Sequence, residues 1–149
     1  MGVCIEGTKE GTTTLDMSYS GFCRLRKTIA NLIGENFGKK YEEYVRYSAS
    51  LFPFSSEEET DKFFLQLEKE INEIIDSKKA SKKVMDFLFS SDCEGKISYG
   101  SCKDLLKVIG TYDNDIVYGY AAWSSPSMFK DFKQLLAECI ENKCNLIWY

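Results

Sequence analysis

Between Phe89 and Ile97 the chain reads Phe-Ser-Ser-Asp-Cys-Glu-Gly-Lys-Ile, setting a carboxylate, a thiol, a second carboxylate and a glycine side by side. Three chemistries would suit such a run. Oxygen ligands spaced around a glycine hold calcium in a helix–loop–helix. A thiol activated by a neighbouring base is a nucleophile. Two carboxylates held in different environments form a general acid and its base.

The residues weigh differently on each. With Gly95 at loop position 6, Asp92 falls at 3, Glu94 at 5, Ile97 at 8 and Ser98 at 9, as in a calcium loop. Ser90 then stands at position 1 and Ser101 at position 12, where the two strongest anionic ligands belong. The stretch therefore reads as a degenerate EF-hand-like loop without tight calcium binding, and no metal ligand is assigned. Cys93 has no histidine to activate it, because the chain contains none. Its acidic neighbours raise a thiol's pKa. Asp92 and Glu94 as an acid–base pair form the enzymatic alternative. The plainer reading is a polar turn in which Asp92 accepts from nearby backbone amides and Gly95 takes positive φ.

A second cluster lies near the start, in Tyr19-Ser20-Gly21-Phe22-Cys23-Arg24-Leu25-Arg26. The chain has three arginines, at 24, 26 and 46, against sixteen lysines, so each arginine stands out. On a helix Arg26 lies about 40° from Phe22, at the edge of the apolar stripe. Partial desolvation there calls for a partner, and Asp92 or Glu94 is expected to supply the carboxylate. Arg24 faces the other way and is free to reach an anion. The last third is rich in aromatics (Tyr112, Tyr118, Tyr120, Trp123, Trp148, Tyr149), which suit a core, an interface or one wall of a pocket. The ligand-binding candidates are Tyr19, Ser20, Arg24, Arg26, Ser91, Asp92, Cys93, Glu94 and Trp123. No catalytic residue and no cofactor is assigned. Lys78-Lys79 and Lys82-Lys83 read as a solvated basic patch.

These residues need elements to position them. Val3–Glu6 and Thr12–Met17 flank Gly7-Thr8-Lys9-Glu10-Gly11 and predict a β-hairpin. Ser18 or Ser20 caps a helix to about Ile33, with Phe22, Leu25, Ile29, Leu32 and Ile33 inward and Gly34 as its stop. A second helix is predicted from Lys39 to Ala49, with Tyr41, Tyr44, Val45 and Leu51 inward and Pro53 ending it. Ser55 and Ser56 with Glu58 and Glu59 make a capping box for a third, whose stripe is Phe63, Phe64, Leu67, Ile71, Ile74 and Ile75. Ser81 caps a fourth helix through Phe89. The acidic loop follows, then a fifth helix from Ser101 to Ile109. Asp113-Asn114-Asp115 signals a turn and Ile116–Tyr120 a short strand or irregular loop. Ser125-Pro126 opens the last helix, lined by Phe129, Phe132, Leu135, Leu136, Cys139 and Ile140. Leu146–Tyr149 is strand-prone and predicted to pair with the hairpin. The expected architecture is one predominantly helical α+β domain over residues 1–149, with about six helices and a small antiparallel sheet.

Bulk properties narrow the function classes. At 149 residues the chain can bury a core of its own. Its net charge of −4 argues against general nucleic-acid binding, which needs a basic face. Absence of histidine removes Ser-His and Cys-His couples and histidine-based zinc sites. Six scattered cysteines, in a chain with no export signal and no apolar run long enough for a bilayer, read as free thiols of a cytoplasmic, membrane-independent protein. Cys23 and Cys139 are read as core residues.

Tyr19–Arg26, Ser91-Asp92-Cys93-Glu94-Gly95 and the tail Cys144-Asn145-Leu146-Ile147-Trp148 together resemble a group of small bacterial and phage proteins without an established activity. Members often carry a histidine just before the Ser-Asp-Cys run, where this chain has Ser90. The resemblance implies that the two motifs share one site. The expected function is a small non-enzymatic protein that sequesters a ligand or inhibits a partner, with a small anionic ligand or a protein as that partner. An immunity or phage counter-defence role would suit its size and acidity.

Overall fold

Alternation of apolar and polar residues starts the chain. The computed structural model describes residues 2–49, 56–112 and 128–149. Strand β1 (Gly2–Gly7) turns Val3 and Ile5 inward and pairs antiparallel with β2 (Leu15–Ser18), setting Val3 opposite Met17 and Ile5 opposite Leu15. The Gly7 amide donates to Thr12 Oγ1 at 2.9 Å, closing the hairpin before Thr13 and Thr14 can join the strand.

The C-terminal strand β4 (Leu146–Trp148) lies along the other side of β1, as its composition predicts. A further strand, β3 (Gly95–Ile97), pairs with β4 and completes a sheet of order β2-β1-β4-β3. The loop reading of 89–97 missed it. Gly95 does not take positive φ; its place is set by Trp148, whose Cζ2 would stand 2.0 Å from a Cβ at residue 95.

Helix α1 (Tyr19–Ile33) starts where the Ser18 hydroxyl accepts from the Gly21 amide, and buries Phe22, Leu25, Arg26, Ile29, Ala30 and Ile33. Gly34, in extended backbone, separates it from α2 (Glu35–Ser48). That helix begins at Glu35 rather than Lys39, with a glycine in its first turns. A Cβ at Gly38 would sit 1.7 Å from Asn31 Oδ1, so the missing side chain is what lets α2 lie close against α1. Lys40 pairs with Glu70 and ties α2 to α3 (Glu57–Asp76). Ser56 caps α3, accepting from Glu59 N–H at 3.2 Å. Phe63, Leu67 and Ile74 are buried there, while Phe64, Ile71 and Ile75 are half-buried against the core.

Ser81 caps α4 (Lys82–Leu88), and Ser98 caps α5 (Tyr99–Ile109). Helix α6 (Met128–Asn142) buries Phe129, Phe132, Leu135, Leu136 and Cys139. Leu51, Pro53, Ser55, the Asp113–Asp115 turn, the Ile116–Tyr120 segment and Ser125-Pro126 lie outside the described residues. The result is a mainly helical α+β fold whose core joins the inner face of the sheet to the helices. Its centre is aromatic: Phe22, Phe87 and Trp148 meet mutually at 5.5–6.1 Å between ring centroids, and Phe132 lies 6.2 Å from Phe87. All six thiols are free. Cys139 is a core residue as expected, whereas Cys23 is only half-buried. Among the described residues no helix is long and apolar enough to cross a membrane.

Two glycine substitutions test this packing. Gly95→Ala drives a methyl into the buried Trp148 indole and should destabilise the fold by about 1–3 kcal/mol. Gly34→Ala meets open space at an ordinary extended φ, and should leave the unfolding free energy unchanged to within about 0.5 kcal/mol. Thermal or urea unfolding of both variants measures the contrast.

Candidate functional site

The site is built around one buried cation. Arg26 is only 5% exposed, although α1 carries it at the edge of its apolar face. Its guanidinium carbon lies 4.4 Å from the Phe22 ring centroid, 5.3 Å from Phe87 and 5.8 Å from Trp148. Nη1 donates to the Ser90 carbonyl at 2.9 Å, and Nη2 donates to Ser90 Oγ at 2.8 Å and the Ser91 carbonyl at 3.0 Å. Nε is buried without an acceptor. The expected partner was a carboxylate of Asp92 or Glu94. Arg26 instead holds the main chain of the turn, because carbonyls at 90 and 91 reach into the core while both acidic side chains stay exposed. Burial pulls the guanidinium below its ordinary pKa, and nearby Tyr41 and Asp92 oppose that shift. It stays protonated at neutral pH.

Other groups fasten the same turn. Trp148 Nε1 donates to the Ser91 carbonyl at 3.0 Å, so that one oxygen joins α1 to β4. Ser90 Oγ donates to Phe87 O at 2.7 Å, and the Tyr41 hydroxyl donates to Leu88 O at 2.7 Å. Burial, only partly opposed by Arg26, pushes the Tyr41 phenol well above its usual pKa, so it is a permanent donor. The Cys93 amide donates to Ser91 Oγ, not to Asp92 as expected of the turn.

Between α1, α2 and this turn opens a cleft of about 340 Å³. Tyr41, Tyr44 and Phe89 form its aromatic wall, Phe89 lying 5.4 Å from Tyr41 and 4.9 Å from Tyr44. Arg26 lines it from the core side, and Asp92 stands at its exposed rim. The volume falls within the range of small-molecule sites.

Of the sequence candidates, Arg26, Ser91 and Asp92 line the cleft. Cys93 is exposed and Tyr19 half-buried, and neither lines the cleft. Glu94 is exposed and does not line the cleft. Ser20 is also exposed, its hydroxyl bonded to that of Ser18 at 3.0 Å, and Arg24 is exposed. Trp123 lies outside the described residues. Tyr41, Tyr44, Phe89 and Ser90 were missed as site residues. Their helical spacing marked the first two as inward-facing, but nothing distinguished an inward residue at a cleft from one in the core.

The thiol is poorly placed for nucleophilic work. Cys93 Sγ donates to Asp92 Oδ1 at 3.3 Å, and that bond, reinforced by the charge on Asp92, raises its pKa despite an opposing contribution from Tyr19. No group of histidine, cysteine and acidic side chains among the described residues is arranged to hold a metal ion. Compared with protein-family models, curated proteins and solved structures, the chain matches none of them.

Arg26→Lys cannot reproduce the three-acceptor grip and should cost about 3–5 kcal/mol in urea unfolding. Trp148→Phe, which leaves Ser91 O bonded to Arg26, should lose its single hydrogen bond at about 1 kcal/mol plus the lost indole packing. For Cys93, removing the Asp92 charge lowers the thiol pKa and enlarges the thiolate fraction at neutral pH. Iodoacetamide alkylation followed by peptide mass spectrometry should therefore run several-fold faster at Cys93 in Asp92→Asn than in the parent protein.

Proposed function

We propose that the protein is a non-enzymatic binding protein that sequesters a small anionic ligand in the cleft between α1, α2 and the 89–92 turn. The observation that carries this reading is the guanidinium of Arg26. It is a buried positive charge lining an aromatic-walled cleft, and no carboxylate lies within 4 Å of it among the described residues. Carbonyl dipoles and ring faces stabilise that charge without cancelling it. A ligand carboxylate entering the cleft would feel a field strengthened by low surrounding polarity. Tyr41, Tyr44 and Phe89 offer the faces and edges an aromatic or flat apolar ligand body packs against. An aromatic monocarboxylate has the matching chemistry.

The Asp92 carboxylate at the rim opposes an anion, and this separates binding from catalysis. If the cleft sequesters anions, Asp92→Asn should tighten them. If Asp92 is instead an acid or base of an enzyme, the same change abolishes turnover. Calorimetric titration with benzoate, indole-3-acetate and the cationic control benzyltrimethylammonium distinguishes the cases. The expected result is saturable binding of the carboxylates only, two- to five-fold tighter in Asp92→Asn and at least ten-fold weaker in Tyr44→Ala. Thermal stability should rise with ligand, by about 2.7 kcal/mol at one hundred times Kd. Preferential binding of the cation, or carboxylate affinity unchanged by Tyr44→Ala, would overturn the reading.

A further inference from the structure

A second concavity lies at the opposite end of α4. The end of α3, the start of α4 and the last turn of α5 enclose a hollow of about 280 Å³, which shares no lining residue with the cleft. Its floor is apolar, made by Ile75, Ala80 and Val108, and its rim carries Lys78, Lys79, Lys82 and Lys107. One carboxylate, Asp104, also lines it, accepting from the Ser81 hydroxyl at 2.7 Å. Among the described residues, none of the four lysines has a carboxylate within 4 Å. A protein of net charge −4 thus gathers four lysines against one aspartate around one apolar hollow.

Fold stability accounts for part of this arrangement only. Lys78, Lys79 and Lys107 sit at the carbonyl ends of α3 and α5, where cations are favoured. Lys82 opens α4, where a cation is disfavoured, and the next residue is Lys83. Lys78 takes φ of 61°, a left-handed position that glycine would fill at lower cost.

We infer that this hollow docks an acidic segment of another protein that carries an apolar anchor, such as a leucine between glutamates. The apolar floor takes the anchor and the lysine rim takes the flanking carboxylates. A phosphate backbone would match the rim and leave the floor without a partner, so nucleic acid fits less well.

Fluorescence anisotropy with a fluorescein-labelled Glu-Glu-Leu-Glu-Glu peptide tests the inference. Controls are the same peptide with serine for leucine and a single-stranded oligothymidylate of equal charge. The leucine peptide should bind, weaken at least ten-fold in the Lys79→Glu, Lys107→Glu double variant, weaken similarly with serine, and be lost steeply with added salt. Both lysines are exposed and sit at helix carbonyl ends, so the double variant should melt a few degrees below the parent yet stay folded at the assay temperature, and its unfolding curve separates lost binding from lost folding. Asp92→Asn should bind the peptide like the parent, which keeps this site apart from the cleft. Equal binding of the serine peptide, tighter binding of the oligonucleotide, or no leucine-peptide binding at about 1 mM protein would overturn the inference.

Discussion

A buried arginine whose hydrogen bonds go to backbone and hydroxyl oxygens rather than to a carboxylate is the constraint on which the rest of the structure depends. Removing a cation from water costs several kcal/mol even after the protein relaxes. Arg26 answers that with three charged hydrogen bonds, each about 1.5–3 kcal/mol, and with aromatic faces, each about 0.5–2 kcal/mol. The two sides are of the same size, so every contact matters. The acceptors are two consecutive carbonyls and one hydroxyl, all belonging to Ser90 and Ser91. The position of the turn and the burial of the cation are therefore one condition.

That condition reaches across the sheet. Ser91 O accepts from both Arg26 and Trp148, and the Trp148 ring lies against Gly95 on the neighbouring strand. The register of β3 on β4 sets Gly95 opposite Trp148, which brings the indole both to the glycine and to the carbonyl. A side chain at 95 would push the indole off that oxygen and away from the cation it shares with Phe22 and Phe87. The short strand, the terminal strand, the first helix and the turn are thus held by a few atoms around one guanidinium.

The helices were legible in the sequence wherever an apolar stripe and a serine cap agreed, as at Ser18, Ser56 and Ser81. Helix α2 was read short because Gly38 lowers helix propensity, a local signal overridden by its close packing on Asn31. Strand β3 has three residues, one of them glycine, too few for alternation to register. The desolvation of Arg26 was readable from its angle to Phe22. Its partners were not, because carbonyl oxygens are common to every residue and leave no trace in composition. The same blindness misassigned the acidic loop. Its carboxylates drew attention, while the atoms that engage the core are its backbone oxygens, and Ser91 rather than Asp92 takes the Cys93 amide.

The basic patch of the second hollow was legible as Lys78-Lys79 and Lys82-Lys83, but the apolar floor it surrounds was not. An overall excess of acids suggests a uniformly acidic surface, yet sign is arranged locally. Helix α4 is the strut between the two concavities. At its N-terminal end Ser81 both caps the helix and binds Asp104 of α5, beside the lysine rim. At its C-terminal end Phe87 and Leu88 offer carbonyls to Ser90 and Tyr41, beside the aromatic wall. Seven residues span only about 10 Å, and both ends are hydrogen-bonded to neighbouring elements. Each concavity is bounded by one end of that helix, and each sets an apolar surface beside positive charge with a single aspartate among its lining residues.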